Sequence, residues 1–375
     1  MPNMIDASEV YDKKLNFLIG SGASFGLLPT LWLEIKNEKG NPCSLEELGV
    51  YLSDDTANDQ RNTQYTALFM HYYMSCIRPA IEFDAGNVEP GTKSDVLKNY
   101  KLFLQNIISL LHRRDDQDKR CNIFTTNYDG CFVYAADSIF MDKNIELALN
   151  DGANGFFERT LSVSNFDIYH SKSGIFDRHT RGVPQVNVIN MHGSVYWKKR
   201  GERIIVDYTD KSNAELLEKE TEYKLAAFAS CLNDTKKSFI DLPRIDLTNE
   251  EMDKFWIRYN DLPIVNPTKW KFNETVFEEH YYQSLRMLSY ELERSSSVLI
   301  VFGFSFKDEH IRSLVTRSLS NPTLQVFICC FNDSEMTYFK KIYGQFSNVV
   351  YITPKDGNLD FTAFNSTVLN PSVSQ

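Results

Sequence analysis

Apolar residues along this chain gather in short runs that stop abruptly at small or polar residues. Residues 15–24 read Leu-Asn-Phe-Leu-Ile-Gly-Ser-Gly-Ala-Ser, a strand-like run closed by two glycines one residue apart. Further runs occur at 121–125, 186–191, 297–302, 324–331 and 349–352, the third of these being the most apolar, Ser-Val-Leu-Ile-Val-Phe. Between them the apolar positions recur every three or four residues, which predicts helices over 44–53, 65–82, 95–112, 213–232 and 274–293. One more helix is expected to carry His310, Ile311, Leu314 and Val315, with Asp308 as its N-cap. Pro29, Gly40 and Pro42 read as loop punctuation, as do residues 84–94 and 261–271, and residues 139–184 read as a mixed insert.

Strands alternating with helices predict an α/β fold: a Rossmann-like, doubly wound, mostly parallel sheet, with helical inserts at about 32–112 and 198–270 forming a smaller lobe. At 375 residues the chain is expected to be one large domain, 1–375, carrying those inserts. The aromatic stripe Tyr65, Leu68, Phe69, Tyr72, Tyr73, Cys76 and Ile77 reads as a packing face. The last few residues, 370–375, read as a loose tail.

A formal charge of -10 argues against direct nucleic-acid binding, and no apolar run is long enough to cross a membrane. The N-terminus is acidic and polar, unlike a signal peptide, so a cytoplasmic protein is expected. The seven cysteines are odd in number and none are spaced as a zinc knuckle; buried or scattered thiols are the simpler reading, and no metal is expected.

The chemistry gathers where strands end. Gly20-Ser21-Gly22-Ala23-Ser24 suits a phosphate-cradling loop whose glycines adopt positive φ and offer bare N–H groups, or else a tight strand-to-helix turn. Thr125-Thr126-Asn127-Tyr128-Asp129 suits a ligand site beyond a strand's carboxyl end, or an Asn/Asp turn. His192 follows a strand and precedes glycine, a better place for acid/base work than those of His112, His170, His179 or His280. Gly303-Phe304-Ser305-Phe306 ends the most apolar strand. In a parallel sheet all four ends share one edge, which favours a nucleotide site there.

Taken in order, Gly-Ser-Gly-Ala-Ser, Thr-Thr-Asn-Tyr-Asp, His-Gly-Ser and Gly-Phe-Ser-Phe resemble the sirtuin signatures Gly-Ala-Gly-x-Ser, Thr-Gln-Asn-x-Asp, His-Gly and Gly-Thr-Ser, across residues 15–310. The resemblance implies a domain that binds NAD⁺ and breaks its nicotinamide–ribose bond. Departures narrow it. The two Cys-x-x-Cys pairs of the family's zinc module are missing, with only Cys231 in that interval, and Thr30, Leu31 and Trp32 follow Pro29 where the family has Asp-Phe-Arg. Thr126 replaces the glutamine.

The chain thus looks like the sirtuin-like NADases of prokaryotic antiphage defence. Asn266-Pro267-Thr268-Lys269, together with the run after Gly303, most resembles the subunit that pairs with a HerA-type ATPase. On this resemblance Asn127 holds the nicotinamide ribose or a water, His192 acts as base and Asp129 fixes the carboxamide. Gly20, Ser21, Gly22, Ala23, Ser24, Thr126, Gly303 and Ser305 bind the rest of the nucleotide. The expected activity is NAD⁺ hydrolysis controlled by homo-oligomer assembly and a partner. The alternatives are an NAD-dependent deacylase or a non-catalytic NAD/ADP-ribose-binding subunit of a DNA-processing complex.

Overall fold

In a computed structural model, the described residues are 10, 12–53, 59–116, 118–142, 145–174, 180–266, 275–354 and 357–369. His179, residues 267–274 and the tail at 370–375 lie outside them. The chain divides into two compact units.

The first unit comprises Met1–Leu27, Ala85–His192 and Glu279–Gln375. Its centre is a seven-stranded sheet of β1 (Lys14–Ile19), β2 (Arg120–Thr125), β3 (Ala148–Asn150), β4 (Gln185–Asn190), β5 (Ser297–Phe302), β6 (Gln325–Cys329) and β7 (Val349–Ile352), in the order β7-β6-β5-β1-β2-β4-β3. All its pairings are parallel. This is the Rossmann-like α/β sheet that the strand–helix alternation predicts. Helices α1 (Thr92–His112), α2 (Cys131–Phe140), α3 (Thr275–Glu293), α4 (Glu309–Ser318) and α5 (Asp333–Tyr343) follow in the chain.

β1 lies at the middle, with strands added on one side up to β4 and on the other from β5 onward. The order therefore reverses at β1, and a doubly wound sheet binds ligands at the carboxyl ends beside such a reversal. Phe302, Ile19, Thr125 and Asn190 stand in register as one row, so all four motif-bearing strands end level.

Three residues upstream, Asn16, Asn122, Asn187 and Asn150 form another row. The first three are fully buried, and their amides bond head to tail. Asn187 Nδ2 donates to Asn122 Oδ1 and Asn122 Nδ2 to Asn16 Oδ1, both at 2.9 Å, and Asn16 Nδ2 donates to Ser297 Oγ at 3.0 Å. Gln185 Nε2 donates to Asn187 Oδ1 at one end, at 2.8 Å, and Ser297 Oγ donates to Glu291 O at the other. A slip of one residue in any of these strands would strand buried amides, so the ladder fixes register where apolar runs alone leave it loose.

The structure departs from the sequence expectations in four places. Trp32–Lys36 and Pro42–Ser44 pair as an antiparallel hairpin where loop punctuation was read, because Gly40 (φ 78°) supplies its turn. The insert at 139–184 contributes β3, too short to show an apolar run. The helix expected over 95–112 begins at Thr92, and Val96, Tyr100, Phe103, Leu104, Ile107 and Leu111 form its buried face while Leu102 is exposed. The helix expected over 213–232 begins at Lys219.

The second unit comprises Leu28–Asp84 and Gly193–Glu278; α1 is not part of it. It holds the hairpin, helices Thr63–Tyr72 and Arg78–Glu82 joined through a π turn, and helices Lys219–Leu232 and Asn249–Tyr259. Tyr65, Phe69, Tyr72 and Tyr73 are buried, and Phe69 packs on Trp256 and Tyr259 with ring centroids at 5.1 and 5.7 Å. The aromatic stripe is a packing face.

The cysteines are free thiols, all buried except the half-buried Cys76. Among the described residues, no group of three or more His, Cys, Asp or Glu is placed to hold a metal ion, and no helix is long and apolar enough to cross a membrane.

Candidate active site

The loop after β1 is a single 3₁₀ turn, Ser21–Ser24, pressed against the end of β5. Gly20 N–H donates to Phe302 O at 3.1 Å and Gly22 N–H to Gly303 O at 3.0 Å. A Cβ on Gly20 would lie 2.4 Å from Gly303 O, one on Gly22 2.7 Å from Gly303 Cα, and one on Gly303 2.7 Å from Ala23 N. Three glycines thus let two backbones touch with no side chain between them. Gly20 has φ -109°, so close approach and not positive φ is its reason for being glycine. Only Gly303 (φ 64°) is left-handed among the three. The amides of Gly20 and Gly22 are spent on β5 and do not project as bare donors. Ala23 N–H returns to Gly20 O at 3.1 Å, while Ser21 and Gly22 stay exposed at the rim.

Ser24 is buried and turned inward. Its Oγ lies 2.8 Å from Asp129 Oδ2, 2.7 Å from Tyr100 Oη and 3.3 Å from Asn127 Nδ2. The protons can be placed. Asp129 as a carboxylate only accepts, so the single Ser24 proton goes to it, and Tyr100 must donate to Ser24. Burial and the nearby Asp129 charge push the Tyr100 phenol well above its ordinary range, which keeps that proton in place. Asn127 then meets only oxygen lone pairs on that side, at Ser24 and at Tyr100 (3.5 Å), so its NH₂ faces them and Oδ1 faces away.

The Asn127 backbone is also held. Its N–H donates to Thr125 Oγ1 and its carbonyl accepts from Asn190 Nδ2, each at 3.1 Å. Asp129 Oδ1 accepts from Cys131 N–H at the start of α2, at 3.0 Å. Asn127 Oδ1 is buried and receives no hydrogen bond from the described residues. An unsatisfied buried acceptor costs about 1–3 kcal/mol, and such a group calls for a donor from outside the chain.

His192 follows β4 and is 9 % exposed. Its Nε2 lies 3.2 Å from Asp308 Oδ2, off the line of a hydrogen bond. Asp308 caps α4 through its other oxygen, as the sequence predicts. No hydrogen bond links His192 to Asn127; they share the site through the level ends of β4 and β2.

The remaining motif residues are peripheral. Thr126 is half-buried and its N–H donates to Ile19 O at 3.2 Å. Ser305 is exposed, its Oγ accepting from Lys307 N at 3.4 Å. Tyr100 is the site residue that sequence reading passes over, since an aromatic on an amphipathic helix reads as core. Its ring does pack as core, edge-on to Phe132 and Phe361 at 4.9 and 5.0 Å, while its hydroxyl serves the site.

Compared with models of known protein families and with curated proteins, the sequence of this chain gives no match.

Proposed function

We propose that this chain is an NAD⁺ glycohydrolase that yields nicotinamide and ADP-ribose, serving antiphage defence by depleting NAD⁺. The observation that carries the reading is the buried, donor-less Asn127 Oδ1 at the point where strand order reverses, held there by the Tyr100–Ser24–Asp129 relay. The four-motif resemblance to sirtuins supports it.

In the hydrolysis, the ribose C1′–nicotinamide nitrogen bond breaks, its electron pair leaves with neutral nicotinamide, and water adds its oxygen to C1′ and sheds one proton. No acid is needed for this leaving group; positioning and a proton acceptor are. Asn127 Oδ1 accepts a hydrogen bond from the water or a ribose hydroxyl, and His192 takes the proton. Asp129 keeps lone pairs beyond those given to Ser24 and Cys131, enough to fix a carboxamide NH₂. With Gly20 and Gly22 amides committed to β5, the diphosphate falls to the exposed rim around Ser21 and Ser305, beside the cation of Lys307.

The same reading includes control by assembly, as a homo-oligomer and with a HerA-type ATPase. Chromatographic product analysis after incubating the purified chain with NAD⁺, alone and with that ATPase, tests it. Nicotinamide plus ADP-ribose, lost on Asn127→Ala, is expected; a parental rate in Asn127→Ala removes Asn127 from the mechanism. Nicotinamide release that depends on an acetylated peptide would favour a deacylase. Binding of ADP-ribose without turnover in either condition would favour a non-catalytic subunit.

A further inference from the structure

The Asp308 carboxylate faces two ways. Oδ1 accepts from the amides of His310 and Ile311 at 3.0 and 3.1 Å, which is all that capping α4 requires. Oδ2 lies 3.2 Å from His192 Nε2, and the two side chains are 6 % and 11 % exposed. A cap alone needs one neutral oxygen and no charge; serine, threonine or asparagine would serve. The second oxygen meets the one strand-end imidazole that the proposed chemistry uses.

From this geometry we infer that Asp308 is a positioning residue for His192: the carboxylate 3.2 Å from Nε2 favours the ring proton on that nitrogen, leaves Nδ1 as the basic one, and balances the charge when Nδ1 takes a proton. The catalytic part rests on the hydrolase reading above; the pairing does not.

The surroundings suit such a pair. The amino end of α4 favours a negative charge at Asp308. Among the described residues, Tyr281 of α3 also faces the ring, with ring centroids 6.2 Å apart. Burial and the Asp308 charge raise the Tyr281 phenol, so it stays neutral and does not compete for the imidazolium. Phe306, two residues before Asp308, is fully buried at φ 55°, wedged against Phe304 and Tyr343 with ring centroids 5.0 and 5.1 Å away. A bulky residue keeps that conformation only where packing imposes it, so the turn that presents Asp308 is fixed.

Asp308→Asn separates the two roles, since asparagine caps a helix as well as aspartate but carries no charge. In the full chain this variant should melt at the parental temperature. Its kcat for NAD⁺ should fall about 10-fold or more with KM nearly unchanged, and Asp308→Glu should recover part of the loss. In a His192→Ala background the same substitution should cost nothing further, because the carboxylate acts through the ring. Long-range ¹H–¹⁵N spectra, which need no turnover, should find the His192 proton on Nε2 in the parent and shared between the nitrogens in Asp308→Asn. Parental kcat together with an unchanged tautomer in Asp308→Asn would overturn the inference. A parent that never consumes NAD⁺ yet shows the tautomer change would sink the hydrolase reading and leave the pairing standing.

Discussion

The Tyr100 hydroxyl sits 2.7 Å from Ser24 Oγ, joining two residues that lie 76 positions apart. Because Ser24 spends its own proton on Asp129, Tyr100 is the donor that completes the relay and settles which way the Asn127 amide points. Tyr100→Phe keeps the ring among Phe132 and Phe361 and removes only the hydroxyl, which donates to Ser24 and accepts from Asn127. It should lower stability by about 1 kcal/mol, the usual net value of one hydrogen bond. NAD⁺ turnover should drop about 10-fold through kcat, as the amide loses its fixed orientation. Steady-state kinetics with a thermal melt checks both, and parental kcat would show that Asn127 is oriented without the tyrosine.

Gly20→Ala places a methyl 2.4 Å from Gly303 O, a backbone atom that cannot swing aside. Separating the two loops should cost about 1–3 kcal/mol, the range for overpacking a tight contact, and nucleotide binding should weaken with it. Gly40→Ala is the control: unlike Gly20 it has a positive φ (78°), but its Cβ would meet nothing within 4 Å. If the two variants lose stability equally in denaturant titrations, backbone contact is not what demands glycine at position 20.

Asn122→Leu breaks the amide ladder at its centre. Asn16 Oδ1 loses its donor, whereas Asn187 Nδ2 keeps Phe166 O at 3.3 Å. One orphaned acceptor plus a strained fit predicts a loss of about 2–4 kcal/mol, although the substitution adds apolar surface to a buried strand. A loss under about 0.5 kcal/mol on chemical denaturation would mean that the ladder does not contribute.

Acid should unfold the second unit early. Burial lowers His71 from 6.5 to about 4, so the folded chain holds this ring neutral while the unfolded chain protonates it. Its contribution is therefore complete above pH 6.5 and lost as pH falls from 6.5 through 4. The full loss is about 3 kcal/mol at 1.36 kcal/mol per pH unit. Melting temperatures measured from pH 7 to 4 should fall more steeply for the parent than for His71→Gln, and parallel curves would remove His71 as the cause.

Much of this was written in the order of residues, and the remainder was not, for physical reasons. Apolar runs stopping at Gly20, Thr125, His192 and Gly303 mark strand ends because a parallel strand buried on both faces must be apolar until it leaves the sheet. The Asp308 cap is legible because capping is local. Asn16, Asn122 and Asn187 look like flaws in their strands until neighbouring strands supply their partners. Tyr100 meets Ser24 only in three dimensions, and Gly20 looks like a flexible hinge until Gly303 arrives against it. What stayed hidden is whatever depends on a neighbour distant in sequence.

The bare contact between Gly20 and Gly303 has a consequence for the order of events at birth. β1 leaves the ribosome first, yet the surface that shapes its loop belongs to β5, in the last third of this chain. Until β5 is made, Gly20 and Gly22 have no carbonyls to bond, so a nascent chain can pair β1 with β2 and still hold no formed glycine loop. On the proposed hydrolase reading, synthesis itself would then act as a delay, with competence arriving only once β5 has been made.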